Sequence, residues 1–304
     1  MSSSKITNVL VVGANGNVGK SAIKALLDEK FNVSGLTRDS STAVLPEGVK
    51  HLKTDFSEES LVEAFTNQDA VISTISGIQP GGSLTIQNVL VDVAIKAGVK
   101  IFVPSEYGID TSDPSASKFI PFLSDKIETL NYLKEREDKI SWTALVTGAM
   151  FDWGLNIPGF GGWNVAARTV TIFDGGDTPY EATNLDQVGR AIAKSLKKPG
   201  LTRNQYVYAN SFTITQNETL KALEKATGDK FAVSQGTVDE LWQEGASQVE
   251  NGQPLGTLAM VAGATYGKGG LSRFSVTKGL WNERLGLPQE NLEEFIREYV
   301  AGKK

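Results

Sequence analysis

The sequence predicts an α/β fold in which a doubly wound parallel sheet is followed by a smaller C-terminal α+β lobe. Two observations predict it. Through the first half of the chain, short aliphatic runs alternate with helical patterns, which is typical of parallel strands that crossover helices bury on both faces. The first aliphatic run, residues 9–12, leads directly into glycines at three-residue spacing and then into an amphipathic helix. That order of strand, glycine turn and helix is the usual first unit of such a sheet.

The glycine turn, Gly-Ala-Asn-Gly-Asn-Val-Gly, predicts a dinucleotide-binding Rossmann site. Gly13 permits the tight turn, Gly16 lets the backbone approach a pyrophosphate, and Gly19 lets the helix pack closely on the strand. The helix N-terminus adds unpaired N–H groups and the positive end of the helix dipole, and both favour phosphate. The glycine spacing is that of short-chain and extended short-chain reductases. The predicted cofactor contacts in this turn are Gly13, Asn15, Gly16, Asn17 and Val18.

The end of the second predicted strand, residues 31–37, favours NADPH as the cofactor. Thr37 and Arg38 stand where a free ribose 2′-hydroxyl would call for an acid and a 2′-phosphate for a cation. Asp39 is the competing signal, so use of NADH stays open. After the third predicted strand, Asp55 either contacts the adenine side of the cofactor or caps the following helix, and the sequence leaves both roles open.

The fourth predicted strand, residues 69–76, ends in polar residues, and a polar residue follows the fifth, residues 100–104. Ligands of doubly wound sheets bind in the crevice outside the carboxyl ends of the strands. We therefore predict that Thr74, Ser76 and Ser105 contact the cofactor at this edge of the sheet.

The other elements are predicted from apolar periodicity, turn residues and helix caps. Further strands are predicted at residues 49–54, 141–146, 170–173 and 206–208, and a loop at residues 77–82. Predicted helices cover residues 59–65, 83–97, 119–138, 184–196, 215–228, 238–244, 255–266 and 291–300. The predicted domains are a Rossmann domain, residues 1–155, and a second lobe, residues 156–304, from which segments at about 184–210 return to the main sheet.

Lys126 is the candidate acid–base group. On the helix predicted over residues 119–138 it falls within the apolar stripe, three residues after Leu123 and four before Leu130. A lysine there either extends its ammonium to solvent or is partly desolvated, which would lower its pKa toward useful acid–base chemistry. Periodicity alone favours the first arrangement and leaves the second open. Tyr107, which follows the fifth strand, lacks the lysine four residues later that short-chain reductases pair with a catalytic tyrosine.

Two segments carry a family resemblance. Residues 103–110, Val-Pro-Ser-Glu-Tyr-Gly-Ile-Asp, and residues 122–126, Phe-Leu-Ser-Asp-Lys, resemble the Pro-Ser-Glu-Phe-Gly-x-Asp and lysine-bearing elements of the isoflavone reductase-like group. This group of atypical short-chain reductases belongs to the NmrA-like superfamily and includes pinoresinol–lariciresinol and phenylcoumaran benzylic ether reductases. The resemblance covers most of the first 155 residues, with Gln87 and its helix, and residues 212–228 more loosely.

The resemblance implies that Lys126 is the general acid/base of a reductase and lies beside its cofactor. In the resembled reductases a phenol is deprotonated, an ether opens to a quinone methide, and hydride adds to that carbon. Their helix commonly continues with Arg-Arg, whereas residues 128–131 of this chain are Glu-Thr-Leu-Asn, so plant substrates are not implied.

The predicted substrate contacts are apolar and aromatic side chains near the start of the family's substrate lobe. Met150, Phe151 and Trp153 suit a flat aromatic substrate, while plain core packing is the open alternative. Tyr107 is predicted to contact the substrate from the first domain. The glycine-rich aromatic loop at residues 159–163 is a candidate lid over the pocket.

Composition limits the class of protein. The chain has 304 residues, a net charge of −5, one histidine and no cysteine. It carries no basic run for nucleic acid, no disulfide or thiolate metal site, and in His51 a lone histidine that cannot build a metal centre. The sequence shows no apolar run that could span a membrane and no signal-peptide pattern. We therefore expect a cytoplasmic enzyme without metal, either a monomer or a homodimer, whose partner is a small aromatic molecule.

Three functions remain to be compared. The first is an NADPH-dependent reductase of a small aromatic, phenolic or related secondary metabolite. The alternative is a non-catalytic NmrA-like redox sensor that binds a dinucleotide and regulates a partner; such proteins generally lack a catalytic lysine, so Lys126 favours the enzyme. A sugar epimerase of the extended short-chain type normally needs the tyrosine–lysine pair, and is the weakest of the three.

Overall fold

The computed structural model of the protein describes residues 5–76 and 86–302. These residues form a seven-stranded parallel sheet with helices on both faces, together with two small three-stranded sheets. The predicted loop at residues 77–82 and the first residues of the predicted helix at 83–97 lie outside the described residues. The architecture confirms the predicted Rossmann α/β fold.

The strands follow the aliphatic and β-branched runs of the sequence. In chain order they are β1 (Asn8–Val12), β2 (Asn32–Arg38), β3 (Val49–Thr54), β4 (Ala70–Ser73), β5 (Ile101–Val103), β6 (Ser141–Val146), β7 (Ala149–Met150), β8 (Trp163–Asn164), β9 (Thr169–Phe173), β10 (Tyr180–Thr183), β11 (Gln205–Tyr208), β12 (Phe212–Ile214) and β13 (Ala232–Gly236).

The α-helices occupy the amphipathic segments between and after these strands. In chain order they are α1 (Asn17–Asp28), α2 (Glu58–Phe65), α3 (Ile86–Lys96), α4 (Ala116–Phe119), α5 (Leu123–Lys134), α6 (Phe151–Leu155), α7 (Leu185–Lys197), α8 (Pro199–Thr202), α9 (Gln216–Thr227), α10 (Val238–Glu250), α11 (Gly256–Thr265), α12 (Phe274–Thr277), α13 (Asn282–Leu285) and α14 (Leu292–Val300).

The central sheet places β1 between β2 and β4, and its full order is β11-β6-β5-β4-β1-β2-β3. Each neighbouring pair runs parallel, so all the carboxyl ends lie at one edge. The chain builds the sheet in one direction from β1 to β3 and then in the other from β4 onward. The reversal leaves a crevice beyond the ends of β1 and β4, which is where ligands of such sheets bind.

Helices bury the two faces of this sheet in separate apolar clusters. α1 and α7 cover one face, and α2, α3 and α5 cover the other. α1 and α7 cross closely because residue 189 is glycine: a Cβ there would lie 2.2 Å from the main-chain oxygen of Ser21. As predicted for the segment at about 184–210, β11 returns to the main sheet beside β6.

The C-terminal lobe has its own apolar cluster, which runs from Phe151 to Ile296 and is rich in aromatic residues. Its small sheets are β12-β10-β7 and β13-β9-β8. α10 and α11 form a tight pair, since a Cβ on Gly245 would lie 2.5 Å from the main-chain oxygen of Gly256. The division at residue 155 stays a prediction, although the end of α6 at Leu155 agrees with it.

The helix predicted over residues 119–138 is wrong as a single element, because it is two helices, α4 and α5. Pro121 lies between them, lacks an N–H donor and disfavours the helical region for the residue before it. Ile120 accordingly takes an extended conformation, with φ −141° and ψ 92°. The break separates α4 from α5, the helix that carries Lys126.

Most other predicted elements are observed with changed ends. The fourth strand is shorter than residues 69–76, and the helix predicted at 238–244 continues to Glu250. The predicted capping box is confirmed: Thr215 accepts from the Glu218 N–H and the Glu218 side chain accepts from the Thr215 N–H. Among the helices in residues 5–76 and 86–302, none is long and apolar enough to cross a membrane.

Candidate cofactor and acid–base site

The glycine turn after β1 packs closely against Thr74 and the start of α1. Gly13 has a φ of +84°, and a Cβ there would lie 2.8 Å from Thr74 Oγ1. A Cβ on Gly19 would lie 2.4 Å from the main-chain oxygen of Gly13. Two of the three glycines are therefore required by the local geometry, one by its backbone angle and one by the contact of α1 with the turn.

The N-terminus of α1 presents its N–H groups to the same edge. Gly16 is the N-cap residue and provides no side-chain cap. Asn15, Gly16 and Asn17 are exposed, whereas Val18, the second residue of α1, is buried. A bare, exposed helix N-terminus at the carboxyl end of β1 fits the pyrophosphate of a dinucleotide, because unpaired N–H groups and the helix dipole both favour negative charge.

Hydrogen bonds join the ends of β1, β4 and β5 into one edge. The hydroxyl of Thr74 lies 2.9 Å from the Val12 oxygen and 3.0 Å from the Gly13 oxygen. Ser105 Oγ donates to the Ile75 oxygen at 2.7 Å, and the buried Tyr107 hydroxyl donates to the Ser73 oxygen at 3.1 Å.

Thr74, Ser105 and Tyr107 are thus brought together with the glycine turn. The Ser105 N–H donates to Oε1 of Gln87, a residue of α3, at 2.8 Å. Ser76 is exposed beyond the end of β4. The cofactor contacts of Thr74, Ser76 and Ser105 and the substrate contact of Tyr107 stay predictions.

Lys126 points toward this edge from the first turn of α5. Its ammonium Nζ donates a short hydrogen bond to the main-chain oxygen of Glu106 and lies 5.8 Å from the centre of the Phe122 ring. The residue keeps some exposed surface, so water still reaches part of it. Burial lowers the pKa of the Lys126 ammonium, and the negative charge of Glu106 opposes that lowering. Of the two arrangements that the periodicity left open, the structure has the partly desolvated one.

Glu106 is the residue of this edge that the sequence did not single out. Its side chain is 2% exposed, and burial raises the pKa of its carboxyl against the opposing effects of Lys126 and of a hydrogen bond from Thr111. The signal that could have found it is its place between Ser105 and Tyr107, directly after β5, in the segment that carries the family resemblance.

The predicted 2′-phosphate site lies at the ends of β2 and β3. Arg38 is exposed and forms no ion pair within the described ranges 5–76 and 86–302. Thr37 is buried, and its hydroxyl lies 2.8 Å from His51 Nε2, a contact the sequence did not predict. Lys53 donates to the main-chain oxygen of Ser41 at 3.1 Å and so secures the turn after Arg38. An exposed arginine beside a secured turn fits an added phosphate.

Asp55 lies in a capping arrangement at the start of α2. Its Oδ1 accepts from the N–H of Ser57 at 2.9 Å and from the Ser57 hydroxyl at 2.7 Å, and these bonds lower its pKa. Ser57 is in turn the N-cap of α2. The helix-cap role left open by the sequence is therefore present, and because Asp55 is exposed the adenine contact stays a prediction.

The predicted substrate residues lie in different surroundings. Phe151 is buried, with its ring 5.5 Å from that of Phe212, and Met150 is half-buried beside it. Both line a cleft of ≈ 30 Å³ in the C-terminal lobe. Trp153 packs edge-on against Phe160, another residue of the cleft wall, at 5.3 Å. Phe151 therefore has the core-packing role that the sequence left open, and the substrate contacts of Met150, Phe151 and Trp153 stay predictions.

The cleft is apolar because its polar atoms bond to one another. Trp163 Nε1 donates to the Tyr266 hydroxyl at 3.2 Å, and that hydroxyl donates to the Gly161 oxygen at 2.9 Å. Helix α11 presents Ala262 to this cleft and Met260 to the cluster at the start of α5. The helix thus contacts both the cleft and the residues around the start of α5.

A larger depression of ≈ 180 Å³ lies elsewhere, on the outer side of β3 and α2. Its walls are mostly polar and include Lys50, Lys53, Glu63 and Gln68. None of the residues that join the glycine turn to Lys126 lines it. Its size therefore does not make it the candidate reaction site, which is defined by the chemistry at the carboxyl edge of the sheet.

One tyrosine does carry the spacing of a tyrosine–lysine pair: Tyr299 is followed four residues later by Lys303. The Tyr299 hydroxyl donates to the Leu155 oxygen at 3.2 Å, within the C-terminal lobe. Lys303 lies outside the described residues. Tyr299 packs in stacked geometry on Phe295, at a ring distance of 6.1 Å, which is a core arrangement.

Known proteins resemble the chain over most of its length. The profile of the NmrA-like family matches residues 5–295. The oxidoreductase aprR of Aspergillus flavus is 34% identical over 299 residues, which cover 97% of this chain and 99% of that protein. Pinoresinol reductase 2 of Arabidopsis thaliana is 30% identical over 243 residues, or 73% of this chain and 74% of the reductase.

Solved structures share the fold over nearly the whole chain. AtPrR2 with NADP+ and (+)pinoresinol has a TM-score of 0.79 at 24% identity, covering 98% of this chain and 100% of that one. The binary complex of leucoanthocyanidin reductase and NADPH from Vitis vinifera has a TM-score of 0.77 at 20% identity, covering 97% and 99%. At these identities the likeness concerns the fold.

Proposed function

This chain belongs to the NmrA-like family, and from that premise we propose that it is an NADPH-dependent reductase of a small aromatic, phenolic or related secondary metabolite. Lys126 acts as the general acid/base. When bound, NADPH supplies the hydride. The chain's own groups hold the cofactor, orient the substrate and move the proton.

The observation that carries the proposal is the hydrogen bond from Lys126 to the main-chain oxygen of Glu106. It holds a partly desolvated amine at the segment that Ser105 and Tyr107 tie to β4, and Thr74 ties β4 to the glycine turn. The acid–base group and the pyrophosphate turn thus belong to one hydrogen-bonded edge. Proton transfer needs a group of lowered pKa at a fixed place, and burial lowers the pKa of this lysine.

The cofactor residues have the chemistry that NADPH requires. The exposed N–H groups at the start of α1 bind the pyrophosphate, and the missing Cβ of Gly13 lets the turn pack closely against Thr74. Arg38, exposed at the end of β2, binds the 2′-phosphate. Asn15, Asn17 and the other predicted residues of the turn surround the same phosphates.

The substrate class is supported by the aromatic cleft and by the names of the relatives. The cleft polar atoms already bond within the protein, so its walls offer apolar and ring contacts. Its ≈ 30 Å³ holds about two water molecules, by the 10–15 Å³ each requires. An aromatic substrate therefore enters only if the half-buried side chains Met150 and Phe160 move.

Turnover by the purified protein tests the proposal. NADPH consumption is measured over phenolic benzylic ethers, isoflavonoids, enones and cyclic imines, with Lys126→Ala beside the wild type and with Lys139→Ala, an exposed lysine beyond α5, as the matched control. The expected result is turnover in the wild type and the control that is lost in Lys126→Ala while NADPH binding is retained. Tight NADPH binding without turnover of any class would favour the redox sensor instead.

A further inference from the structure

We propose that Glu106 is the positioning residue of Lys126: its buried carboxylate is the counter-charge that keeps the lysine ammonium protonated and held at the edge of the sheet. This rests on the proposed acid–base function of Lys126. The two groups are linked through Glu106 itself: its main-chain oxygen accepts from the ammonium, and its carboxylate is buried in the same part of the protein without forming an ion pair with that ammonium, so its charge acts through the interior.

The surroundings of the Glu106 carboxylate argue for this role. Thr111 Oγ1 donates to Oε2, whereas Oε1 is buried and has no hydrogen-bond partner among the residues that the structure describes. A buried carboxylate with one oxygen unpaired is destabilising unless an opposite charge compensates it. Lys126 is the strongest opposite charge that acts on it. A residue that served only to shape the segment after β5 would not need a buried charge at position 106.

The other ionisable groups that face Glu106 do not replace that partner. Lys134, further along α5, attracts the Glu106 carboxylate more weakly than Lys126 does, and Asp110 repels that carboxylate. Two tyrosines, Tyr107 and Tyr206, face the same group, and burial raises the pKa of each, so both remain neutral near neutral pH. Lys126 and Glu106 therefore form the central pair of the cluster.

The sign of the effect follows from the two opposing causes. Burial lowers the pKa of Lys126, and Glu106 raises it. Removing the negative charge leaves burial unopposed, so the lysine loses its proton at a lower pH. A reductase that uses the ammonium as an acid then loses activity at a lower pH, and the alkaline limb of its pH profile moves in the same direction.

The pH dependence of Lys126 acylation tests the proposal without using turnover. Wild type and Glu106→Gln are labelled with a small anhydride across pH, and the modification of Lys126 is read by mass spectrometry. The expected result is a midpoint lowered by about one pH unit in Glu106→Gln, a tenfold change in the ratio of charged to neutral lysine. Glu128→Gln, which removes an exposed carboxylate two residues from Lys126, is the matched control and leaves the midpoint unchanged.

An unchanged midpoint in folded Glu106→Gln would overturn the proposal. Should that variant fail to fold, Glu106→Met takes its place, because it removes the charge without leaving a buried amide unpaired and should lower the midpoint in the same direction. No shift there would overturn the proposal equally. A lowered midpoint with no turnover in any variant would support Glu106 as the counter-charge while contradicting the reductase function.

Discussion

The glycine turn and the aromatic cleft keep their shapes by different means. In the turn, backbone meets backbone, and the space beside Gly19 cannot hold one added carbon. In the cleft, side chains meet side chains, as where Phe151 packs on Phe212 and Phe295. The first region tolerates no gain of volume and the second no loss.

The largest expected effect is the loss of a ring from the cleft. Phe151→Ala should lower the free energy of unfolding by about 3–5 kcal/mol, because a buried aromatic leaves a cavity that its neighbours fill only in part. Phe160→Ala, at a half-buried wall position, should cost less. Urea unfolding of both variants checks the order; equal losses would contradict the claim that Phe151 belongs to the core of the lobe.

Adding a carbon to the turn comes next. Gly19→Ala should cost about 1–3 kcal/mol of stability, because the new Cβ overlaps the Gly13 oxygen and forces α1 away from β1. It should also weaken NADPH binding, which Phe151→Ala should not. Gly200→Ala is the matched control, since a Cβ there meets no atom within 4 Å. Thermal unfolding and cofactor titration separate the three; a neutral Gly19→Ala would refute the steric account of the turn.

Arg38→Ala should act on one cofactor only. A hydrogen bond to a charged group contributes about 1.5–3 kcal/mol, so NADPH affinity should fall by about 10- to 100-fold while NADH affinity is kept. Lys50→Ala, an exposed cation on β3, is the control and should change neither. Titration of the cofactor fluorescence gives both constants. A parallel fall for NADH and NADPH would show that Arg38 does not bind the 2′-phosphate.

The smallest expected effects are two opposite pH dependences, one at the amino end of β1 and one where α6 meets α7. Burial would raise the pKa of Asp69, but hydrogen bonds from Lys100 and from the N–H groups of Asn8 and Thr7 outweigh it and lower the pKa. The stability it contributes is present above its ordinary pKa of 3.8 and is lost as the pH falls through the lowered value. Asp69→Asn should therefore be less stable at neutral pH and lose less stability in acid.

Asp152, at the junction of α6 and α7, should behave in the opposite way. Burial raises its pKa despite hydrogen bonds from the N–H groups of Leu185 and Trp153. Stability is then greatest below its ordinary pKa of 3.8 and falls as the pH rises through the raised value. Asp152→Asn should remove that fall. The free energy of unfolding of both variants and of the wild type is measured across acidic pH. If the effect of the two substitutions changed with pH in the same direction, the opposite pKa shifts of Asp69 and Asp152 would be contradicted.

The fold was predictable where the signal is local. The aliphatic run at 9–12, the glycine spacing and the Thr215 capping box each encode their structure within a few residues, and all three are observed. Pro121 was a local signal too, and the break it makes between α4 and α5 shows that proline outweighs apolar periodicity.

The site was predictable only in part, because its remaining features depend on contacts distant in sequence. Lys126 could be placed in an apolar stripe, but the burial of Glu106 depends on how α5, the segment after β5 and β11 pack together. The contact of Thr37 with His51 depends on the register of β2 with β3. The cleft likewise depends on where α11 lies.

The most direct test of the acid–base role is a single-turnover measurement on the preformed NADPH complex, with wild type compared with Lys126→Met. Removing a general acid costs about 10²–10⁴-fold in rate, and the hydride-transfer step should slow by that factor while the NADPH dissociation constant stays the same. Equal rates in the two proteins would contradict the assignment of Lys126, and would leave the glycine turn and its cofactor site standing without it.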